Sequence, residues 1–178
     1  MQMKNSVFVL PEHLLYFLIT HAQSLTNNLQ IQTEMPWMPC KHRYGDIVFE
    51  SLLLHLQPTI ESLTGKKLIP TYSFFRSYTK GSVLKAHRDR PSCEYSTTVY
   101  LGSSDTNTPW SIYMDNVPVD LKIGQGVVYK GCEQEHYRDP CPHDFSNHVF
   151  LHYVDANGKN KNYAYDEREF LYQESVQG

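Results

Sequence analysis

A chain of 178 residues, 40% hydrophobic and 13% aromatic, is long enough to bury one sizeable core, and a single domain spanning 1–178 is expected. Its 16 Lys and Arg stand against 19 Asp and Glu, a net charge of −3, with no run of like charge to attract phosphates or an anionic bilayer, so neither nucleic acid nor a membrane is an expected partner. Cys40, Cys93, Cys132 and Cys141 are too few and too scattered for a small disulfide scaffold, which predicts reduced thiols.

The most apolar N-terminal stretch, "VFVLPEHLLYFLI", is broken by Pro11, Glu12 and His13, is too short to span a bilayer, and follows no basic region of the kind that opens a signal peptide. A soluble, cytoplasmic protein is expected. Within "PEHLLYFLITHAQSL" a first-turn proline and the spacing of Leu14, Phe17, Leu18 and Leu25 predict a helix. "DIVFESLLLHLQPTIESLTG" predicts a second, with Asp46 as N-cap, Gly65 as its stop and Pro58 as a kink or break. From Leu68 the vocabulary becomes aromatic and β-branched, in segments separated by turn residues: "LIPTYSFFRSY", "YSTTVYL", "WSIYM", "VPVDL", "GVVYKG" and "HVFLHYVD". Such strands predict a sandwich or barrel with the helices packed on a sheet. The last residues, "QESVQG", read as a loose tail.

One constellation carries chemistry. In "LKAHRDRPSCEYSTTVYLG" the pair His87 and Asp89 is two apart, so in extended chain an imidazole and a carboxylate share a face. His136, at the end of another strand candidate, offers a third ligand. Two imidazoles and one carboxylate on one side of an ion leave the other side open, the arrangement of non-haem Fe(II) oxygenases. The spacing alone is a modest signal, and the bland reading is a solvated turn. A rival set, Cys132, His136, Cys141, His143, His148 and His152, has zinc-ligand chemistry but lacks a Cys-x-x-Cys knuckle.

The wider pattern, "FFRSYTKGSVLKAHRDRPSCEYSTTVYLG", "IGQGVVYKGCEQEHYRDP" and "HVFLHYVD", resembles the 2-oxoglutarate- and Fe(II)-dependent oxygenases of the prolyl 4-hydroxylase type over about residues 70–155. Tyr78, Gly81, Tyr100, Gly124, Gly126 and His136 stand at matching places. The resemblance implies an α+β, mainly β fold: a double-stranded β-helix, jelly-roll or cupin-like, over 68–155, with a helical lead-in over 1–67 and a C-terminal extension over 156–178. It implies Fe(II) held by His87, Asp89 and His136 as the catalytic centre, with 2-oxoglutarate and O₂ as cosubstrates and succinate as a product. For the substrate it suggests a prolyl residue, with a free amino acid or a nucleic-acid base left open.

At one place this sequence departs from the family. A Lys or Arg about ten residues beyond the distal His holds the far carboxylate of 2-oxoglutarate there, and Ser146 occupies that position here. Arg138 is the first candidate to replace it and Arg76 the second, with His148 a weaker third; Tyr78 and Tyr100 match positions that line the same pocket. The ordinary readings are a surface pairing of Arg138 with Asp139 or Glu135, core packing for the two tyrosines, and solvated charges at Arg90 and Glu94. The alternative function is a non-catalytic β-barrel binding module that has lost the cosubstrate site.

Overall fold

A computed structural model describes residues 5–33 and 37–173. The N-terminal third is built from β1 (Ser6–Val9), α1 (Glu12–Asn28), β2 (Gln32–Thr33), β3 (Pro39–Tyr44) and α2 (Ile47–Thr64). The remaining strands are β4 (Leu68–Thr79), β5 (Leu84–His87), β6 (Tyr95–Ser103), β7 (Ile112–Met114), β8 (Val117–Val119), β9 (Gln125–Tyr129), β10 (His136–Arg138) and β11 (Phe145–Asp155). They pair antiparallel in two sheets, one ordered β1-β9-β6-β11-β4-β3-β2 and the other β5-β10-β7-β8.

Both helices lie where their apolar spacing puts them. Asp46 Oδ1 accepts from the backbone N–H groups of Val48 and Phe49 at 3.0 and 3.3 Å, and Gly65, at φ 67°, ends α2 in the left-handed conformation that glycine adopts without strain. Pro58 does not break this helix; it stands on the exposed face and α2 runs through it. The stretch 1–67 is not purely helical, however. β1 pairs with β9 at one edge of the larger sheet and β3 pairs with β4 near the other. Their signals are weak for physical reasons: β1 is a short apolar run merging into the first helix, and β3, "PCKHRY", is mostly polar.

Strand alternation divides the larger sheet into two chemically different faces. One face packs on the helices through Leu18, Phe49, Leu53, Phe75, Val99 and Leu151, all in one buried cluster. The other face carries Phe74, Arg76 and Tyr78 on β4, Ser146, His148, Phe150 and His152 on β11, and Ser96, Thr98 and Tyr100 on β6. The register sets these in rows: Arg76 and Tyr100 flank His148, Phe74 and Thr98 flank Phe150, and Ser96 lies beside His152. Buried polar side chains on an inward face are costly unless something uses them.

Beyond β11, a short 3-10 segment at Lys161–Glu167 packs back over the body. It is tied down by Arg90, which donates to both carboxylate oxygens of Asp166 at 2.6 and 2.7 Å, and by Tyr44 Oη donating to the same carboxylate at 2.6 Å. Arg90 is therefore ion-paired although its side chain stays half exposed, and Glu94 accepts from the Asp155 N–H at 3.1 Å. Of the expected loose tail, Gln173 accepts from Arg168 at 2.9 Å and residues 174–178 lie outside the described residues. No helix among the described residues is long and apolar enough to cross a membrane.

Candidate metal centre and the cavities beside it

β10 pairs antiparallel with β5 so that His136 faces His87 directly, with ring centroids 4.3 Å apart. Each Nδ1 points at a carbonyl two residues upstream: His87 at Lys85 O, 2.8 Å, and His136 at Gln134 O, 3.0 Å. A carbonyl only accepts, so both protons sit on Nδ1 and both Nε2 atoms present lone pairs. These face one carboxylate oxygen, Asp89 Oδ1, 3.4 Å from each. Three electron-pair donors thus converge within 4.8 Å, a geometry that needs a cation or a proton between them.

Asp89 is positioned by its own backbone, whose N–H donates to Gly131 O at 2.9 Å. A Cβ on Gly131 would lie 2.4 Å from Asp89 Oδ2 and 2.4 Å from the Cys93 carbonyl, so only glycine lets the carboxylate sit here. Burial favours the protonated acid, but the two imidazoles overcome it and hold the Asp89 carboxyl well below the usual range. The same carboxylate raises the proton affinity of His87. Behind it, Ser96 Oγ lies 3.4 Å from Asp89 Oδ2 and 2.8 Å from His152 Nδ1, and burial pushes His152 down to about 4.

The three ligand candidates open into a cleft of about 330 Å³ walled by Tyr72, Phe74, Ile112, Tyr129 and Phe150, with Arg76 on its wall. Tyr129 meets the His136 ring edge-on at 5.0 Å. The Arg76 guanidinium lies over Phe74 at 4.9 Å and Tyr78 at 5.6 Å, the shared face that strand alternation predicts.

Arg138, two residues beyond His136, is only 1% exposed. Its Nη1 donates to Trp110 O at 2.8 Å and its Nη2 to His148 Nδ1 at 3.3 Å, while Nε has no partner. Among the described residues no carboxylate lies within ion-pair distance of it, so the surface pairing with Asp139 or Glu135 is not made. Uncompensated burial pushes the guanidinium down from its ordinary value. His148 Nε2 lies 2.9 Å from Ser146 Oγ. Because the guanidinium can only donate, His148 accepts at Nδ1 and carries its proton on Nε2: a neutral imidazole, held well below its usual pKa by burial and by Arg138. His148 is therefore not a cationic anchor.

The tyrosines bracket this group. Tyr78 is fully buried with its hydroxyl unpartnered, edge-on to Trp110 and His148 at 5.0 and 5.6 Å. Tyr100 lies over His148 at 5.2 Å with its hydroxyl 2.7 Å from Ser103 Oγ. A second cavity, of about 610 Å³, adjoins Arg138, Tyr100, Ser146 and His148. The cysteines and histidines of the zinc alternative do not gather: among the described residues only two ligand groups converge, His87–Asp89–His136 and Asp89–Cys93–His152, the second sharing Asp89. None of the four cysteines is in a disulfide.

No protein-family model matches this chain, and no curated protein does. Solved structures match its fold. A prolyl-4-hydroxylase of Pseudomonas putida aligns with a TM-score of 0.65 at 15% identity, covering 85% of this chain and 92% of that one. EctD from S. alaskensis with bound Fe aligns at 0.63 and 13% identity, covering 87% and 74%. The epimerase SnoN, in complex with Fe3+, alpha ketoglutarate and nogalamycin RO, aligns at 0.68 and 11% identity, covering 87% and 80%.

Proposed function

We propose that the chain is a single-domain Fe(II)- and 2-oxoglutarate-dependent oxygenase built on a double-stranded β-helix, with His87, Asp89 and His136 as its metal ligands. The convergence of two Nε2 lone pairs and one carboxylate oxygen, with both Nδ1 protons already held by carbonyls, carries the reading. Two nitrogens and one oxygen suit ferrous iron, and the open cleft leaves room for cosubstrate and O₂. Bound there, the ion would couple oxidative decarboxylation of 2-oxoglutarate to succinate with hydroxylation of a substrate C–H bond.

The chain's own residues then have distinct tasks. Lys85 O and Gln134 O fix the imidazole tautomers and ring angles, and Gly131 makes space for Asp89. Arg138 receives the far carboxylate: it lies on the His136 face of β10, about 6.7 Å further along, and has no counterion of its own. His148 and Ser146 aim its guanidinium, and Tyr78 and Tyr100 frame it. Arg76, on the cleft wall, is the alternative anchor. Aromatic walls exclude water from the cleft. A prolyl residue is one candidate substrate, within a wider class of proteins, peptides and small molecules.

Succinate released from 2-oxoglutarate in the presence of Fe(II) and O₂, and lost in Asp89→Ala, is the expected result. Failure of the Mn(II)-loaded protein to bind 2-oxoglutarate would instead support a binding module without catalysis.

A further inference from the structure

β11 runs from one cavity to the other. Phe150 and His152 line the metal cleft, whereas Ser146 and His148, nearer the start of the strand, line the neighbouring 610 Å³ cavity, His148 standing beside Arg76 of the cleft wall. That second cavity is walled by rings and aliphatic groups, Tyr100, Trp110, Val119, Leu121 and Ile123. Arg138 lines it as well, an almost fully buried guanidinium with an unpartnered Nε. Lys122 stands exposed at its edge; Asp120, also on the lining, is bonded to Ser111 Oγ at 2.5 Å.

We infer that this second cavity binds a small organic anion with a ring-sized apolar body, its carboxylate on Arg138. A buried cation without a counterion is costly, and a carboxylate entering from this side would supply one. The apolar walls would take the rest of the molecule, as in small-ligand pockets generally, where a few polar groups set orientation within a hydrophobic lining. His148 cannot compensate the charge, being neutral and already an acceptor. The inference rests in one respect on the oxygenase reading: the same guanidinium is there assigned to 2-oxoglutarate, so the two anions would be antagonists across one arginine.

Benzoate is a suitable probe, titrated by calorimetry into the metal-free full chain. Saturable one-site binding is expected, weakened about tenfold or more in Arg138→Ala and weakened in Lys122→Glu. It should be lost in Thr106→Trp, which sets an indole on the exposed loop at the cavity mouth. In the Mn(II)-loaded protein, saturating benzoate should raise the Kd for 2-oxoglutarate about fivefold or more, an effect absent in Thr106→Trp, whose own 2-oxoglutarate affinity should be normal. The inference is overturned if benzoate does not bind the metal-free protein or if its binding survives Arg138→Ala. Loss of 2-oxoglutarate binding in Thr106→Trp overturns it too, since the cavity would then be the cosubstrate's own. If the Mn(II)-loaded wild type binds no 2-oxoglutarate, the oxygenase reading falls, and the metal-free titration still decides the cavity.

Discussion

His148 Nδ1 accepts from Arg138 Nη2 at 3.3 Å, and this contact fixes the imidazole as neutral, with its remaining proton on Nε2 donated to Ser146 Oγ, 2.9 Å away. The serine at the position where the resemblance implies a cation is thus the far end of a hydrogen-bonded chain that leads to a guanidinium on another strand. A charge-assisted contact is worth roughly 1.5–3 kcal/mol, so Arg138→Ala should weaken 2-oxoglutarate binding about ten- to a hundredfold while metal affinity survives. With His148 neutral throughout, that affinity should stay flat between about pH 5.5 and 8, where an ordinary histidine titrates. Calorimetry on the Mn(II)-loaded protein across that range checks both statements, and Arg76→Ala, altering charge on the cleft wall, separates the two arginines.

Removing a ligand should remove the ion without removing the fold. His136 and Asp89 lie at the inner end of the cleft, away from the helix-packed core, so His136→Ala or Asp89→Ala should keep the wild-type circular dichroism while Mn(II) or Fe(II) binding falls below detection. Wild-type metal affinity in either variant would exclude the site.

Much of the sheet could be read from the chain, because β4, β6 and β11 carry strong aromatic and β-branched alternation and pair with one another. The converging triad could be named because His87 and Asp89 are a local pair and His136 ends another strand candidate, a place that the resemblance also matches. Tyr129, Ser96 and His152 could not, since a polar residue in a strand acquires its role only from the register that sets strands side by side. Trp110 reaches Arg138 through its carbonyl, which no residue type announces. Gly131 reads in "YKGCEQ" as a turn residue, and its close approach to Asp89 is tertiary. The Arg90–Asp166 pair, 76 residues apart, has no local trace at all.

That pair also gives a pH test. Burial favours protonation of Asp166, but hydrogen bonds from Arg90 and Tyr44 outweigh it and lower its pKa in the folded state. A depressed carboxyl pKa contributes stability that is fully present above the unfolded value of about 3.9 and is lost as pH falls through the folded value. The Tm difference between wild type and Asp166→Asn should therefore be constant from neutral pH down to about pH 5 and shrink below about pH 4. A difference that grows on acidification would contradict the assignment.

Four cysteines outside any disulfide, three of them buried, predict that denatured protein prepared without reductant titrates four equivalents with a thiol reagent, and that native protein reacts first at the partly exposed Cys132. Burial raises the Cys132 thiol to about 11, so even that reaction should be slow at neutral pH. Two equivalents in the denatured protein would reveal a disulfide that this fold does not contain.

Gly131 offers the sharpest separation of site from fold, since its nearest neighbours are the proposed metal-binding carboxylate and the backbone that supports it. In Gly131→Ala the new methyl would meet Asp89 Oδ2 and the Cys93 carbonyl at 2.4 Å each and Ser96 Oγ at 2.8 Å. The carbonyl belongs to the backbone and yields little, so the carboxylate must swing away from the two imidazoles. Overpacking of this kind costs about 1–3 kcal/mol, a fall in Tm of about 2–12 °C for a chain of this size. Metal affinity should fall much further than stability does, because pushing Oδ2 aside turns the whole carboxylate and carries with it Oδ1, the one atom common to both His contacts. Measuring Tm and Mn(II) affinity on the same preparation tests this: equal losses in both would mean that Gly131 serves general packing, and an unchanged metal affinity would mean that Asp89 does not depend on it.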